Sequence, residues 1–367
     1  MTSAKFWESG MFKVFGGLYD RYFSEDEALI FTLLLITGTV IMVTMGGVIA
    51  PLLWSMVITF MLQGLVNSLK KLKVPHRMAV YLTYLLFLGS TFIIFLIFLP
   101  FSWSRLSLFV NELPSMVDQL RSLLLILPEN YPEQFTEAQV DDWLLYIQGE
   151  IGAFGQYLLS YSVSSITRLV TLLVYSVLVP ILVFFMLRDS EKLLNFLESW
   201  LPEKRPIMAQ VWHEMNDQLA NYIRGKALEI LIVGLSSFVM FELFGINYPV
   251  LLAVLVGLSV IVPYVGATVV TVPVFLVGFF QWGFSGELMQ VIVAYAVLQL
   301  IDGNILVPLI FSETVNLHPI SIITAVLVFG GLWGFWGVFF AIPLATFIKA
   351  VIRAWPVSHA GQGKAQT

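Results

Sequence analysis

The C-terminal part of the chain carries acidic side chains without basic ones. Between Lys226 and Lys349 lie 122 residues that contain no Lys or Arg. The acids in this stretch are Glu229, Glu242, Glu287, Asp302 and Glu313. A carboxylate inside a bilayer is costly unless it is protonated, paired or hydrated. The pattern therefore predicts a site for a proton or a metal cation, and a basic partner from the N-terminal half is the open alternative.

Asp302 is the acid that lies most clearly inside an apolar run, where Leu and Ile residues precede it and Ile, Leu and Val follow it. We expect its carboxylate to bind the proton or cation, with help from the side chains of Gln299 and Asn304. We expect Gly303 to let another backbone approach closely, because glycine has no side chain. A structural hydrogen bond or a cap at a helix break is the alternative role for Asp302.

Two further acids are candidates for ion coupling. Glu229 follows Lys226 by three residues at the start of the predicted fifth span, a spacing that also allows a local ion pair on a helix. Glu313 lies in a short polar turn with Asn316 and His318, where we expect a gate element on the cytoplasmic side.

Prolines and glycines interrupt the apolar runs of the same region. The predicted helix-break and gating positions are Pro263, Gly266, Gly303, Pro308 and Gly334. Irregular backbone at membrane depth is tolerated where it lines a cavity or is buried in protein. The runs 249–281 and 320–354 therefore predict either helical hairpins that enter and leave on one side or complete pairs of spans, and both choices leave the C-terminus on the same side.

Composition identifies the elements that must hold these residues. The 367 residues are 58% hydrophobic and 12% charged, against about 25% charged in soluble domains. The mean hydropathy is +0.87. These values predict an all-α, polytopic helical membrane protein with about 7–8 transmembrane segments. They argue against disorder, and the absence of Cys excludes a disulfide framework. A net charge of −5 is too small to indicate a nucleic-acid partner.

Charge-free stretches mark the first spans. Residues 28–69 suffice for two spans with a turn at Gly46, Gly47 and Pro51, and stretches 78–104 and 169–187 predict a third and a fourth. Loops on the cytoplasmic side of a membrane carry an excess of Lys and Arg. In this chain such residues cluster between the second and third spans, after the fourth span and near the C-terminus, which predicts that both termini lie in the cytoplasm.

Residues 105–162 contain two basic and eight acidic residues, which suits the outer face. Apolar residues at helical spacing, together with a capping box at Thr136 and Gln139, predict an amphipathic helical hairpin here. The predicted segments are 1–104, an N-terminal cytoplasmic part with three spans; 105–162, the hairpin; 163–226, the fourth span and cytoplasmic amphipathic helices; 227–355, the transport core; and 356–367, a cytoplasmic tail.

Three motifs carry a resemblance to a known family. They are Pro263-Tyr264-Val265-Gly266, Asp302-Gly303-Asn304 and the Gly- and Trp-rich segment Phe329–Val338. With these residues the chain resembles, over nearly its whole length, the AI-2E family of bacterial transporters, which includes the autoinducer-2 exporter and PerM-type permeases. The sequence departs from the family pattern at Ala267 and at Gln63-Gly64, where proline is common.

The resemblance implies an inner-membrane permease or exporter that moves a small solute, such as a signalling molecule, or ions. It further implies sodium or proton coupling, antiport, and a homo-oligomer, with a pentamer suggested by the family. No cofactor is expected. Na+ or H+ is the expected coupling ion, and membrane lipids and the solute or ion are the expected partners.

Two other classes of function, an enzyme and a scaffold, fit the sequence less well. An intramembrane metalloprotease needs H-E-x-x-H, and His213-Glu214 lacks the second His, so we do not expect an enzyme. The alternative to a transporter is a non-transporting envelope scaffold that docks through its outer hairpin. Flux in vesicles distinguishes them, because a scaffold moves no solute.

Overall fold

The computed structural model describes residues 26–125, 128, 136–163, 166–311 and 317–355. Its regular elements in these ranges are helices without strands. In chain order they are α1 (Asp26–Lys71), α2 (His76–Ile93), a π turn (Ile94–Phe98), α3 (Leu99–Leu124), α4 (Glu137–Val163), α5 (Ile166–Arg188), α6 (Ser190–Glu198), α7 (Pro206–Phe244), α8 (Pro249–Ser259), α9 (Val265–Trp282), α10 (Gly286–Ile301), a second π turn (Asp302–Leu306), α11 (Val307–Phe311), α12 (Pro319–Trp333), α13 (Phe335–Phe339) and α14 (Ala341–Ala354).

Six helical stretches in the described residues are long and apolar enough to cross a membrane. They are Glu27–Lys71, His76–Ser122, Thr171–Arg188, Pro206–Phe244, Val265–Trp282 and Gly286–Phe311. Two shorter apolar helices, Pro249–Ser259 and Pro319–Trp333, accompany them. The prediction of an all-α, polytopic membrane protein is therefore confirmed.

The turn expected at Gly46, Gly47 and Pro51 is present only as a kink at Met45, where two helical segments of α1 meet. Met45 alone leaves the helical region, with φ −118° and ψ 17°, and Pro51 lies inside the helix. The glycine pair after Met45 permits a kink, but the surrounding side chains are apolar on all sides. In such a setting the helix satisfies its own backbone groups better than a turn does.

Helices α3 and α4 form the helical hairpin predicted around residues 105–162. Val117, Val140 and Leu144 are buried between them, and Arg121 pairs with Asp141 at 3.1 Å. The capping box is present at the start of α4. The Thr136 backbone N–H donates to Gln139 Oε1 at 3.1 Å, and the Gln139 N–H donates to Thr136 Oγ1 at 3.4 Å. The side of the membrane on which this hairpin lies stays a prediction.

Two helical hairpins form the C-terminal part, and a glycine closes each of them. Helices α8 and α9 meet at Gly266, where a Cβ atom would overlap the carbonyl oxygen of Ser259. The second hairpin joins α12 to α13 and α14. There, a Cβ atom at Gly337 of α13 would overlap the carbonyl oxygen of Phe329 in α12. The first arms, α8 with 11 residues and α12 with 15, fall short of the roughly 20 residues that cross a bilayer. These lengths favour hairpins over complete pairs of spans.

The chain divides into two compact units, and each is discontinuous in sequence. The first unit comprises residues 1–77, 181–226 and 311–367, and the second comprises 78–180 and 227–310. In the first, Ala28, Phe31, Ile207, Met208, Val211 and Ala350 form a buried cluster. In the second, the larger core joins α7, α8, α9 and α10 through residues that include Phe241, Val256, Val274, Val291 and Tyr295. The contiguous segments predicted from the sequence stay predictions.

Candidate functional site

The predicted Asp302 motif lies in the second π turn, in the middle of one continuous helical stretch. The stretch begins with a cap, in which the Leu288 N–H donates to Ser285 Oγ at 3.3 Å. At the π turn, the N–H of Val307 donates to the carbonyl of Asp302, five residues earlier. Pro308 follows directly. Proline cannot donate a backbone hydrogen bond, and its ring clashes with the carbonyl four residues back. The wider π turn accommodates the proline ring and its missing N–H group. Such turns are frequent at functional sites.

The predicted polar residues around the π turn are held by their own helix. The Gln299 Nε2 atom donates to the hydroxyl of Tyr295 at 2.8 Å, and the Asn304 Nδ2 atom donates to the carbonyl of Leu300 at 2.9 Å. Asp302 is half-buried and Asn304 is exposed. Each amide bonds one turn back along the helix, which fixes its direction.

A cavity of about 720 Å³, open to the surface as a groove, lies between α9 and α10. Its walls are mainly apolar, and Thr268, Thr271, Tyr295 and Gln299 supply its polar groups. Tyr295 is only 2% exposed, so its bond from Gln299 forms the polar floor of the cavity. Pockets of roughly 300–1,000 Å³ with a few placed polar groups hold small ligands. The arrangement can therefore accept a small amphiphilic molecule next to the π turn.

Glu229 lies well inside α7, and its expected position at the start of the membrane-spanning part of that helix stays a prediction. That helix begins at Pro206, because the predicted cytoplasmic amphipathic helix and the fifth span are one helix of 39 residues. Glu229 is 2% exposed and Lys226 is 5% exposed. Lys226, which we expected to mark the cytoplasmic surface, is therefore buried. It directly precedes the stretch of 122 residues that contains no Lys or Arg.

Lys226 and Tyr222 are site candidates that sequence reasoning missed. Within the first unit, Lys226 Nζ lies 5.5 Å from the ring centre of Phe311, and the Tyr222 hydroxyl donates to the carbonyl of Phe339 at 2.8 Å. Tyr222, Lys226 and Glu229 recur at four- and three-residue spacing, which places them on one helix face. That spacing is visible in the sequence once α7 is read as continuous.

The remaining predicted positions have different outcomes. Pro263 lies in the turn between α8 and α9, and Gly334, with φ +57°, separates α12 from α13. Pro308 is the second residue of α11 and comes directly after the π turn, so the helix is distorted there but not interrupted. At Gly303, no described neighbour comes within 4 Å of a Cβ position, so the expected close approach of another backbone is wrong. Glu313 lies outside the described residues.

Comparisons with known proteins cover nearly the whole chain. A family model described as AI-2E family transporter matches residues 29–357. The Escherichia coli (strain K12) protein "Putative permease PerM" is 42% identical over 344 residues, which are 94% of this chain and 98% of that protein. "Putative transport protein YueF" of Bacillus subtilis (strain 168) is 27% identical over 307 residues, 82% of each chain. These names indicate transport across a membrane rather than an enzymatic reaction.

Proposed function

Because the chain belongs to the AI-2E family of transporters, we propose that it is a secondary transporter of the bacterial inner membrane. The family and the six membrane-capable helices in the described residues identify a multi-pass membrane transporter. In our proposal it moves a small solute or an ion by proton or sodium coupling, as an antiporter.

One observation supports the site of transport above the others. The cavity between α9 and α10 has a polar floor at Tyr295 and Gln299, and the π turn with Asp302 begins three residues after Gln299. A carboxylate next to a solute cavity can link the two events, because its protonation or cation binding changes the charge beside the solute. In this proposal Asp302 binds the coupling ion, with Asn304 beside it, and Gln299 contacts the solute.

The proposal also assigns roles to the other candidates. Glu229 and Glu313 contribute to coupling and to the cytoplasmic gate, while Pro263, Gly266, Gly303, Pro308 and Gly334 shape the moving parts. Both termini lie in the cytoplasm, and the protein functions as a homo-oligomer, a pentamer by the family resemblance, surrounded by membrane lipids. No cofactor is needed, and Na+ or H+ is the coupling ion.

Ion flux in proteoliposomes tests the proposal. The purified chain is reconstituted, an Na+ or a proton gradient is imposed, and radioactive Na+ uptake and internal pH are followed. We expect Asp302→Asn to lower the flux at least tenfold without loss of membrane insertion. Glu287→Gln is the matched control, because Glu287 is an exposed acid at the start of the same helical stretch.

Two results would contradict the proposal. Equal flux from Asp302→Asn and the unmodified protein would remove Asp302 from the mechanism. Absence of any flux from the unmodified protein, with ions and a panel of small solutes, would favour the envelope scaffold instead.

A further inference from the structure

A second cavity, of about 530 Å³, lies in the second unit at the end of α7. Three elements line it and leave it open to the surface: α3 with Phe101 and Arg105, the end of α7 with Phe238 and Glu242, and the loop 245–248 with the start of α8. It shares no lining residue with the cavity that contains Gln299. It lies where spans end, at the level that the distribution of Lys and Arg predicts to be the outer surface.

The cavity is lined by one basic and one acidic side chain that do not neutralise each other. Among the described residues, neither Arg105 nor Glu242 forms an ion pair. Their charged atoms are therefore more than 4.0 Å apart. The Arg105 guanidinium lies 5.2 Å from the ring centre of Phe101, and both charged side chains are exposed. Each is thus available to a ligand that enters the cavity.

The loop that lines the cavity is held in place. The backbone N–H of Asn247 donates to Gln281 Oε1 at 2.6 Å, and Gln281 Nε2 donates to the carbonyl of Gly245 at 2.8 Å. Tyr248 adopts a left-handed conformation with φ +59°, and its ring packs edge-on against Phe109 at 5.5 Å. A non-glycine residue in that conformation is strained, and such strain persists where surrounding contacts enforce it. The loop therefore presents a preformed wall.

Tyr248 also places a hydroxyl group at this wall. Burial, and next the hydrogen bond to the Glu112 carboxylate, raise the pKa of the Tyr248 hydroxyl. The hydroxyl donates to the Glu112 carboxylate and therefore has no proton left to donate to a ligand. Arg105 and Glu242 are then the two charged side chains that the described cavity lining offers to a ligand.

We propose that this cavity binds a small zwitterion that carries a primary ammonium group and a phosphate, the chemistry of an ethanolamine phosphate. Arg105 binds the phosphate, since a guanidinium donates two parallel hydrogen bonds to an anion. Glu242, at the end of α7, binds the ammonium group, and the rings of Phe101 and Phe238 contact the methylene groups between the charges. The source is either a lipid head group or a free solute, and the inference does not depend on transport.

Binding to the full-length purified chain tests this assignment. Titration calorimetry in detergent with soluble glycerophosphoethanolamine examines the free solute, and native mass spectrometry with phosphatidylethanolamine examines the lipid. We expect binding of at least one of them, and we expect Arg105→Gln and Glu242→Gln each to weaken it at least tenfold. Arg121→Gln is the matched control, because Arg121 lies on the same helix but pairs with Asp141 outside the cavity. Its binding should equal that of the unmodified protein.

Other results would overturn the assignment. Unchanged affinity in both Arg105→Gln and Glu242→Gln would place the ligand elsewhere, and no binding of either probe would end the proposal. Equal affinity for glycerol 3-phosphate would show an anion site without an ammonium subsite. If Arg105→Gln fails to fold, Arg105→Lys keeps the charge but loses the paired hydrogen bonds, and unchanged affinity in that variant would also contradict the proposal.

Discussion

Glu27 and Met208, which are 181 positions apart, are joined by a buried hydrogen bond in which the backbone N–H of Met208 donates to Glu27 Oε1 at 2.8 Å. Met208 lies in the first turn of α7, where backbone N–H groups have no partner within the helix. The Glu27 side chain is 6% exposed and therefore caps α7 from the start of α1. A negative charge at this end is favoured by the helix dipole.

Replacing Glu27 should destabilise the first unit. Glu27→Ala leaves a buried N–H without an acceptor, which costs about 1–3 kcal/mol. Glu27→Gln keeps an acceptor oxygen and should lose less. Unfolding in detergent, followed by circular dichroism, measures both changes. Glu191→Ala, at an exposed acid in the first turn of α6, is the control, and a Glu27→Ala variant as stable as that control would refute the cap.

Two glycines should respond oppositely to an added methyl group. Gly266→Ala places a Cβ atom on the carbonyl oxygen of Ser259, so the hairpin of α8 and α9 must open or shift. Gly303→Ala meets open space and gains helix propensity of about 1 kcal/mol. We expect low yield and a lowered unfolding temperature for the first variant only. Equal stability of the two variants would contradict the packing described for Gly266.

The hydroxyl of Tyr222 should stabilise the first unit through a single hydrogen bond. Tyr222→Phe keeps the ring, which contacts Phe311 and Phe339, but removes the donor to the Phe339 carbonyl. The expected loss is about 0.5–1.5 kcal/mol in the free energy of unfolding. Tyr146→Phe serves as the control, because Tyr146 is exposed. No difference between the two variants would mean that the bond contributes nothing.

The polar floor of the cavity between α9 and α10 should matter for transport and not for folding. Gln299→Leu removes the donor to Tyr295 and leaves an apolar cavity. If the proposed function holds, solute flux in proteoliposomes falls at least tenfold while the elution profile of the protein is unchanged. Val297→Leu, on the same helix but outside the cavity lining, should keep its flux. Equal losses in both variants would argue against a specific role of Gln299.

Asp189 should give the protein part of its acid sensitivity. The Lys192 ammonium, and also the Arg188 guanidinium, hold the pKa of the Asp189 carboxyl below its usual range, through bonds of 3.1 and 3.0 Å. The unfolded value is about 3.9. Because the folded pKa is the lower one, the stabilisation is complete above the unfolded value and is lost as the pH falls through the folded one.

Asp189→Asn should therefore flatten the decline in unfolding temperature at acid pH, below about 4. The unfolding temperature measured over a pH series checks this. Asp118→Asn is the control, since Asp118 is exposed and forms no ion pair among the described residues. Parallel curves for the unmodified protein and Asp189→Asn would contradict the expectation.

Local patterns in the sequence were sufficient for the helices and for some of their ends. The Thr136 and Gln139 capping box depends on residues three positions apart, and both of its bonds are present. The kink at Met45 was harder, because Gly46, Gly47 and Pro51 are typical of a turn in water. In an apolar environment the same residues only bend the helix.

The contacts that organise the candidate sites depend on residues far apart in sequence. A lysine next to an apolar run usually marks a membrane surface. Lys226 is instead buried, because α7 extends back to Pro206 and the ring of Phe311 lies against the ammonium group of Lys226. The bond between Glu27 and Met208 has no local pattern at all. The sequence could therefore identify Gln299 and Asp302 as candidates, but not their cavity or the one at Arg105 and Glu242.

The π turn at Asp302–Leu306 amounts to one residue inserted into an otherwise regular helix, since its hydrogen bonds reach five residues back instead of four. Each residue of an α-helix advances the chain by about 100° around the axis. Removing one residue from the turn would restore an α-helix and keep Val307–Phe311 facing the same neighbours. In evolutionary terms, a helix of this kind can gain or lose its bulge by a single-codon insertion or deletion, without repacking either of its ends.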